Sequence, residues 1–278
     1  VLFNPKDKSK TLVKKLEGDA DIEGYIFDDD RKKPDLVGVV RQPGYFIKDY
    51  FDPTNTYTEK EIELDKAFPG KHVSVIDTTK DGKLSLISIL SDKRPRSYYL
   101  MDNNKFSVKL LMHTMPWIKE SEMSERKPFS FKARDGLELR GYLTLPPGKN
   151  KNLPMVVVVH GGPYGIKDSW QFNYYARTPQ FLANRGYAVL QVNYRGSGGR
   201  GLDFIHSNYR KMGAEMQDDL TDATLWAVKQ GIANKDRICM YGVSYGGYAA
   251  AYAAVKEPDL YKCVIPYAAV FDIDIERK

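Results

Sequence analysis

Residues 242–247 read Gly-Val-Ser-Tyr-Gly-Gly, and this stretch decides the fold. The apolar residues just before it, 237–241, predict a buried strand, and the alanine-rich residues after it, 248–255, predict a helix. The stretch therefore forms a strand-to-helix connection. Its serine is either a nucleophile on a sharp turn or an ordinary serine in a glycine-rich loop.

A nucleophile elbow explains the glycines around this serine. The residues two before and two after such a serine lie so close together that side chains would clash. Gly242 and Gly246 occupy these two positions, and a third glycine, Gly247, follows. The helix also directs its N-terminal amides at a reaction centre where negative charge develops. We therefore predict that Ser244 is the catalytic nucleophile and that the three glycines support the elbow.

A second stretch, His160-Gly161-Gly162-Pro163, follows an earlier apolar strand at 154–160. Open α/β sheets bind ligands at the carboxyl ends of their strands. The Gly161–Gly162 segment and the amide of Tyr245 are therefore predicted to form a two-donor oxyanion hole. His160 is interpreted as a structural histidine that pins this loop, because the base of such hydrolases follows the serine in the chain.

The chain has two textures. Residues 1 to about 125 alternate β segments with turns, in an order expected of propeller blades or of a generic antiparallel domain. From about residue 128 apolar strands alternate with helices, which predicts a parallel α/β sheet with helices on both faces. The strands predicted in the first part are at 36–40, 72–76, 84–90 and 98–101. The second part is predicted to contain a hairpin around Asp135-Gly136, strands at 154–160, 187–193, 237–241 and 263–270, and helices at 178–185, 217–230 and 245–256.

Composition limits the classes of function. With 42% apolar and 28% charged residues, the 278-residue chain is typical of soluble globular proteins, and no apolar run is long enough to span a membrane. The net charge of +6 is spread over the chain, so we expect no nucleic-acid partner. Cys239 and Cys263 lie in apolar runs and are interpreted as two buried reduced thiols, and no metal or other cofactor is expected. Localisation and oligomeric state are left open.

A competing pattern is Gly196-x-Gly198-x-x-Gly201, which follows a strand and has acids close to 20 residues on, at Asp218 and Asp219. This is the spacing of a dinucleotide-binding fingerprint. The fingerprint requires its acid at the end of a second strand, whereas these acids open a helix, where they favour the macrodipole. A flexible loop above the sheet is the preferred interpretation.

Together these residues resemble the prolyl oligopeptidase family of serine peptidases, which has the α/β-hydrolase fold. The matching pieces are residues 160–163, 193–197, 218–219, 237–241 and 242–248. The resemblance implies a partial β-propeller-like domain over 1–127 and the N-terminal part of a hydrolase domain, an incomplete parallel sheet, over 128–278. It implies hydrolysis of short peptides, with Ser244 as the nucleophile and with Tyr245 and the His160–Gly162 segment at the oxyanion site.

The sequence departs from the family pattern after the serine. In the family an acid and then a histidine follow the nucleophile. Here every histidine precedes Ser244, and Asp272 and Asp274 are interpreted as structural. We therefore expect a piece of a longer peptidase that is nearly inactive alone. An esterase of the same fold and a noncatalytic hydrolase-fold binding protein are the alternatives left open.

Overall fold

The computed structural model describes residues 2–3, 6–30 and 32–271. The N-terminal part consists of small antiparallel sheets. A two-stranded sheet contains β1 (Leu2–Phe3) and β2 (Lys10–Thr11), and a three-stranded sheet contains β3 (Ile22–Phe27), β4 (Leu36–Arg41) and β5 (Ile47–Tyr50). Helix α1 (Thr56–Ala67) precedes a four-stranded meander of β6 (His72–Thr78), β7 (Leu84–Leu90), β8 (Ser97–Asp102) and β9 (Ser107–His113).

All four strands predicted in this part are present, but the exclusively β interpretation was wrong because of α1. The Asn55 side chain caps the helix by accepting hydrogen bonds from the backbone N–H groups of Tyr57 and Thr58. The helix then continues through glutamate and lysine residues, which have high helix propensity. Only Thr58, Glu61 and Leu64 of this helix are buried, so its apolar periodicity is too weak to reveal it.

Up to residue 271, where the described part ends, the C-terminal part contains one six-stranded sheet and four α-helices. Its strands are β10 (Arg126–Lys132), β11 (Glu138–Thr144), β12 (Leu153–Val159), β13 (Ala188–Asn193), β14 (Ala233–Val243) and β15 (Cys263–Tyr267). Its helices are α2 (Arg177–Ala183), α3 (Gly201–His206), α4 (Glu215–Lys229) and α5 (Tyr245–Lys256). The strand order is β10-β11-β13-β12-β14-β15. None of the helices in the described ranges has both the length and the apolarity needed to cross a membrane.

The sheet is mixed, which corrects the expectation of a parallel one. Strands β13, β12, β14 and β15 lie side by side in that order and pair in parallel. The hairpin β10–β11 adds two antiparallel strands at the β13 edge. The hairpin around Asp135-Gly136 was predicted, but nothing in its alternating pattern indicated that it would join the sheet. The α/β-hydrolase class is nevertheless confirmed, since the parallel strands and their crossover helices are those predicted.

The core lies on both faces of this sheet. Strand β12 is buried along nearly its whole length, as its continuous apolar run predicted. On one face α4 contributes Leu220, Ala223 and Ala227, and α5 contributes a row of buried alanines. On the other face Val156, Val158 and Val189 pack together, with Leu182 of α2 against them. The small side chains of α5 let its backbone approach the sheet closely, which places its N-terminus directly beside the ends of the central strands.

The two cysteines form a disulfide, so the prediction of reduced thiols was wrong. Cys239 on β14 and Cys263 on β15 are directly paired in the register of the two strands, with their Cα atoms 4.7 Å apart. This separation lies within the range that a disulfide requires. The sequence showed only that each cysteine sits in an apolar segment, whereas the pairing follows from two strands that are neighbours in space.

Candidate active site

Ser244 is the single residue between the end of β14 and the start of α5. Its backbone has φ 59° and ψ −122°, a left-handed conformation that is costly for a residue with a side chain. The turn is held from both sides, because the Ser244 N–H donates to the carbonyl of Tyr267 at 3.1 Å and the Ser244 carbonyl accepts from the N–H of Tyr248 at 3.1 Å. The serine side chain is exposed. The geometry is that of a nucleophile elbow.

The three glycines predicted to support this turn have no room for a side chain. A Cβ on Gly242 would overlap the carbonyl of Gly246, and a Cβ on Gly246 would overlap the carbonyl of Val159 on β12. A Cβ on Gly247 would stand 2.8 Å from the carbonyl oxygen of Tyr267 on β15. The glycines thus let strand, turn and helix approach within backbone contact.

The loop after β12 lies against the serine. A Cβ on Gly161 would stand 3.3 Å from the Cβ of Ser244 and 3.1 Å from the carbonyl oxygen of Val243. Gly162 has φ +124°, a conformation that favours glycine. Tyr245 is the first residue of α5, so its N–H has no partner within the helix. The structure therefore places the Gly161–Gly162 segment and the start of α5 at Tyr245 next to the serine. The oxyanion role of these groups stays a prediction.

His160 is buried beneath this loop and makes its contacts inside the protein. Its Nδ1 donates to the carbonyl of Gly161 at 2.8 Å, and its Nε2 lies 3.1 Å from Oγ of Ser197. The ring stacks on Tyr194 with centroids 4.4 Å apart. These partners agree with the interpretation of His160 as a residue that pins the loop.

None of the four histidines hydrogen bonds Ser244 in the part of the chain that the structure describes. His72 stacks on Phe46, His113 contacts Ser97 and Arg94, and His206 is exposed at the end of α3. Asp272 and Asp274 lie outside the described residues. The site therefore contains a presented hydroxyl and amide donors, but no imidazole base among its described neighbours.

The glycine loop 195–201 is packed, which corrects its interpretation as flexible. A Cβ on Gly196 would overlap the Asn208 side chain, and a Cβ on Gly198 would overlap the carbonyl of Gly165. Two backbone hydrogen bonds join it to the loop after β12: Gly165 N–H donates to the Gly196 carbonyl at 2.9 Å, and Gly198 N–H donates to the Ile166 carbonyl at 3.1 Å. Gly196 and Gly198 therefore allow this loop to pack closely against its neighbours, including the loop after β12.

Asp219 has a more specific role than the macrodipole effect expected of it. It is fully buried and accepts hydrogen bonds from the Arg195 guanidinium at 2.7 and 2.9 Å and from the Arg195 N–H at 2.9 Å. The pair ties the start of the glycine loop to α4. Sequence reasoning missed Arg195, Tyr194 and Ser197 as individual contributors, although all three lie in the matching segment 193–197.

Comparison with known proteins identifies the family. The model of the prolyl oligopeptidase family matches residues 171–276. Dipeptidyl aminopeptidase BIII of Pseudoxanthomonas mexicana is 33% identical over 262 residues, which cover 91% of this chain and 37% of that protein. Dipeptidyl peptidase family member 6 of Caenorhabditis elegans is 30% identical over 79% of this chain and 32% of that protein. The chain thus spans about a third of the length of these relatives.

Solved structures show the same fold. A puromycin-hydrolyzing peptidase of Mycobacterium tuberculosis superposes with a TM-score of 0.69 at 22% identity, over 94% of this chain and 40% of that one. An acylaminoacyl peptidase of Pyrococcus horikoshii superposes with a TM-score of 0.60 at 23% identity, over 91% and 38%. The 33% identity to the dipeptidyl aminopeptidase over 91% of the chain, together with the match to the family model, shows that the chain belongs to the prolyl oligopeptidase family.

Proposed function

We propose that the protein is a serine peptidase that hydrolyses short peptides through an acyl-enzyme on Ser244. The observation that carries the proposal is the backbone of Ser244, held at φ 59° between β14 and α5 with Gly161 packed against its side chain. A strained conformation of this kind persists only where the surrounding structure enforces it, and it is typical of functional sites. The names of the relatives, a dipeptidyl aminopeptidase and acylaminoacyl peptidases, support a peptide substrate.

The proposed chemistry has two steps. Oγ of Ser244 attacks the carbonyl carbon of the scissile bond and passes its proton to a base, while the amides of Gly162 and Tyr245 stabilise the oxyanion. The C–N bond then breaks, and the leaving amine takes up that proton. Water, deprotonated by the same base, hydrolyses the resulting ester and releases the free serine.

We further propose that the base and its carboxylate partner come from residues other than the described ones. His160, His113 and His72 contact other groups, and His206 is exposed without a hydrogen bond to Ser244 among the described residues. A serine without its imidazole retains only roughly 10³–10⁴-fold catalysis over water, from the oxyanion hole and binding. The 278-residue chain alone should therefore be nearly inactive.

We also propose a separate role for each of the two parts of the chain. Residues 1–127 would belong to a propeller-like domain that restricts access, and residues 128–278 to the hydrolase domain. The four-stranded meander β6–β9 supports this, because its strand order is that of a propeller blade. It packs its own small core around Val73, Ile87 and Ile89, separate from the core of the mixed sheet.

The test is active-site labelling of the full-length protein and of the 278-residue chain with a fluorophosphonate, each beside its Ser244→Ala variant. We expect rapid labelling of the full-length protein at Ser244 and slow labelling of the chain. A full-length protein that does not label at Ser244 contradicts the nucleophile assignment. Rapid peptide turnover by the chain alone contradicts the assignment of the base. Aminoacyl amide and simple ester substrates, compared side by side, separate a peptidase from an esterase.

A further inference from the structure

The proposed oxyanion site depends on the direction of one peptide group, that between Gly161 and Gly162. Its carbonyl oxygen lies 2.8 Å from Nδ1 of His160. A carbonyl oxygen can only accept a hydrogen bond, so Nδ1 of His160 carries the proton of this bond. The imidazole therefore holds the Gly161 carbonyl on the interior side of the loop.

The same bond sets the direction of the Gly162 N–H. The Gly161–Gly162 peptide is trans, and in a planar trans peptide the N–H points opposite to the C=O. With the carbonyl turned towards the imidazole, the Gly162 N–H points away from it. Among the described residues the Gly162 N–H has no acceptor. A donor left free in this way, next to Gly161 and its contact with Ser244, is what an oxyanion site requires.

The imidazole is fixed on its other side by the glycine loop. Oγ of Ser197, whose side chain is fully buried, lies 3.1 Å from Nε2 of His160 and 2.7 Å from the carbonyl of Tyr194. Because Nδ1 carries the imidazole proton, these two groups are both acceptors and share the single hydroxyl proton of Ser197. The Tyr194 hydroxyl donates to the His160 carbonyl at 3.0 Å, and its ring stacks on the imidazole. Both nitrogens and one face of the ring are thus engaged, so the ring has no freedom to flip.

The end of the loop is fixed as well. The N–H of Asp168 donates to Oδ1 of Asn193 at 2.8 Å, and Nδ2 of Asn193 donates to the Asp168 carbonyl at 3.0 Å. Asn193 is the last residue of β13, and Tyr194 and Ser197 follow it. One short segment after β13 therefore holds both the histidine and the far end of its loop.

We propose that His160 and Ser197 are positioning residues that aim the Gly162 N–H at the oxyanion formed on Ser244. This inference rests on the proposed function, because it assigns a role within that reaction. The glycine motif 196–201, which has the spacing of a dinucleotide fingerprint, therefore has a role in the proposed hydrolase. Its buried Ser197 orients His160, and His160 orients the Gly162 N–H.

Kinetics of the full-length protein with a peptide amide substrate test the role. In His160→Asn the side-chain amide nitrogen takes the place of Nδ1 and can still donate to Gly161, whereas in His160→Gln it takes the place of Nε2 and cannot. Loss of an oxyanion donor costs about 10²–10³ in kcat. We expect a loss of about 100-fold in kcat for His160→Gln, and about tenfold for His160→Asn and Ser197→Ala, with KM changed less than about threefold because the donor acts mainly in the transition state.

His206→Asn is the matched control, since His206 is exposed, and it should leave kcat unchanged. Equal losses in His160→Asn and His160→Gln contradict the inference, because a purely structural role does not distinguish the two nitrogens. A loss expressed in KM alone contradicts it as well. A higher kcat in His160→Asn than in His160→Gln supports it.

A second measurement does not depend on turnover. The chain has four histidines, so ¹⁵N NMR of the imidazoles in the 278-residue chain is tractable, and the signal missing from His160→Asn assigns His160. We expect a slowly exchanging proton on Nδ1 of His160. An unprotonated Nδ1 in the chain, with a full-length protein that hydrolyses peptides, overturns this inference alone. A protonated Nδ1 in the chain, with a full-length protein that neither labels nor turns over, overturns the proposed function alone.

Discussion

The backbone conformation that exposes the Ser244 side chain destabilises the folded protein. A φ of 59° with ψ −122° is disfavoured for any residue with a Cβ, at a cost of about 1–3 kcal/mol. The Ser244 side chain makes no capping hydrogen bond to α5 that would offset this. The strain therefore has no compensation within the side chain, and glycine is the residue that would relieve it.

We predict that Ser244→Gly is more stable than Ser244→Ala by about 1 kcal/mol, because both lack the hydroxyl and only alanine keeps the strain. Urea unfolding of the two variants measures the difference. Ser207 provides the control, since it has an ordinary helical φ of −62°. At that position glycine should be less stable than alanine by about 0.5–1 kcal/mol. The same sign at both positions contradicts the argument.

His72 is a second residue of interest, because its environment shifts its pKa. Burial, reinforced by the nearby Lys48 and Arg96, lowers the pKa of His72 to about 4. The unfolded chain then binds a proton near pH 6.5 that the folded protein does not bind. His72 therefore favours unfolding increasingly as pH falls from about 6.5 to about 4, by roughly 3 kcal/mol in total, and contributes no pH dependence above that window.

We predict that His72→Phe, which keeps an aromatic ring against Phe46, loses much less stability than the wild type between pH 7 and pH 4. Urea unfolding at the two pH values gives the difference for each protein. His206→Phe is the control, because His206 is exposed. Parallel pH profiles for wild type and His72→Phe would show that the buried imidazole does not carry this effect.

At the scale of elements, the pair β14–β15 carries the elbow. Ser244 follows the end of β14, and the carbonyl that receives its N–H belongs to Tyr267, the last residue of β15. The Cys239–Cys263 disulfide joins the first residue of β15 to a residue within β14. Strand β15 is largely exposed, so burial alone holds it weakly. The disulfide therefore ties down the strand on which the elbow rests.

We predict that reduction of this disulfide costs about 3 kcal/mol of unfolding free energy, as expected for a closed loop of 24 residues. Thermal unfolding with and without dithiothreitol measures the change, and hydrogen exchange at the Ser244 amide should accelerate on reduction. The double variant Cys239→Ser/Cys263→Ser is the control and should not respond to dithiothreitol. Native wild-type protein whose two thiols both react with a thiol reagent contradicts the disulfide itself.

The elements that could be predicted from sequence are those with a strong local signal. Strand β12 has a continuous apolar run, and α5 has the same bounds as predicted because Ser244 precedes it and Pro258 follows it. Helix α1 and the disulfide could not be predicted, for different reasons. The helix lacks an apolar stripe, and the disulfide depends on which strands become neighbours. The Ser244 turn was predictable because glycines mark backbone contacts, whereas the contact of His160 with Ser197 joins two loops that are 37 residues apart.

At the scale of the whole molecule, the N-terminal sheets dock on the loops around the candidate site. Asp19 makes ion pairs with Arg140 at 2.7 Å and Arg200 at 2.9 Å, and Glu23 pairs with Lys167. The N–H of Asp21 donates to the Gly199 carbonyl at 3.0 Å. The glycine loop that contacts His160 on one side thus contacts the N-terminal part on the other. Any movement between the two parts would act directly on the loops that hold the proposed oxyanion site.

Arg126 holds the junction from within. It is the first residue of β10 and is fully buried. Its N–H donates to Oδ2 of Asp92 in the N-terminal part at 2.8 Å, and its Nη2 donates to Oε1 of Gln191 on β13 at 2.7 Å. Gln191 in turn donates to Oδ1 of Asp168 at 2.6 Å. Burial raises the pKa of Asp168, and the positive charge of the nearby Arg126 guanidinium opposes that rise.

We predict that Arg126→Leu loses about 3–5 kcal/mol of unfolding free energy, because it leaves Gln191 Oε1 and the carbonyls of Trp170 and Gln171 without a donor and removes the buried positive charge that favours ionised Asp168. The pKa of Asp168 then rises further in the folded state, so the folded protein holds a proton that the unfolded chain releases. The deficit of the variant relative to wild type should therefore grow as pH increases from 5 to 8, which urea unfolding at both pH values measures.

Arg134→Leu is the matched control for this prediction. Arg134 bridges two carboxylates, Asp218 and Asp222, but its side chain is 50% exposed. Water can solvate those carboxylates once the arginine is removed, so the variant should lose at most about 1 kcal/mol. If Arg126→Leu behaves like Arg134→Leu, the buried charge does not hold the two parts together, and the apolar and backbone contacts at the junction must do so. If it is much less stable and its deficit grows with pH, the interior charge network couples the N-terminal sheets to the strand beside the site.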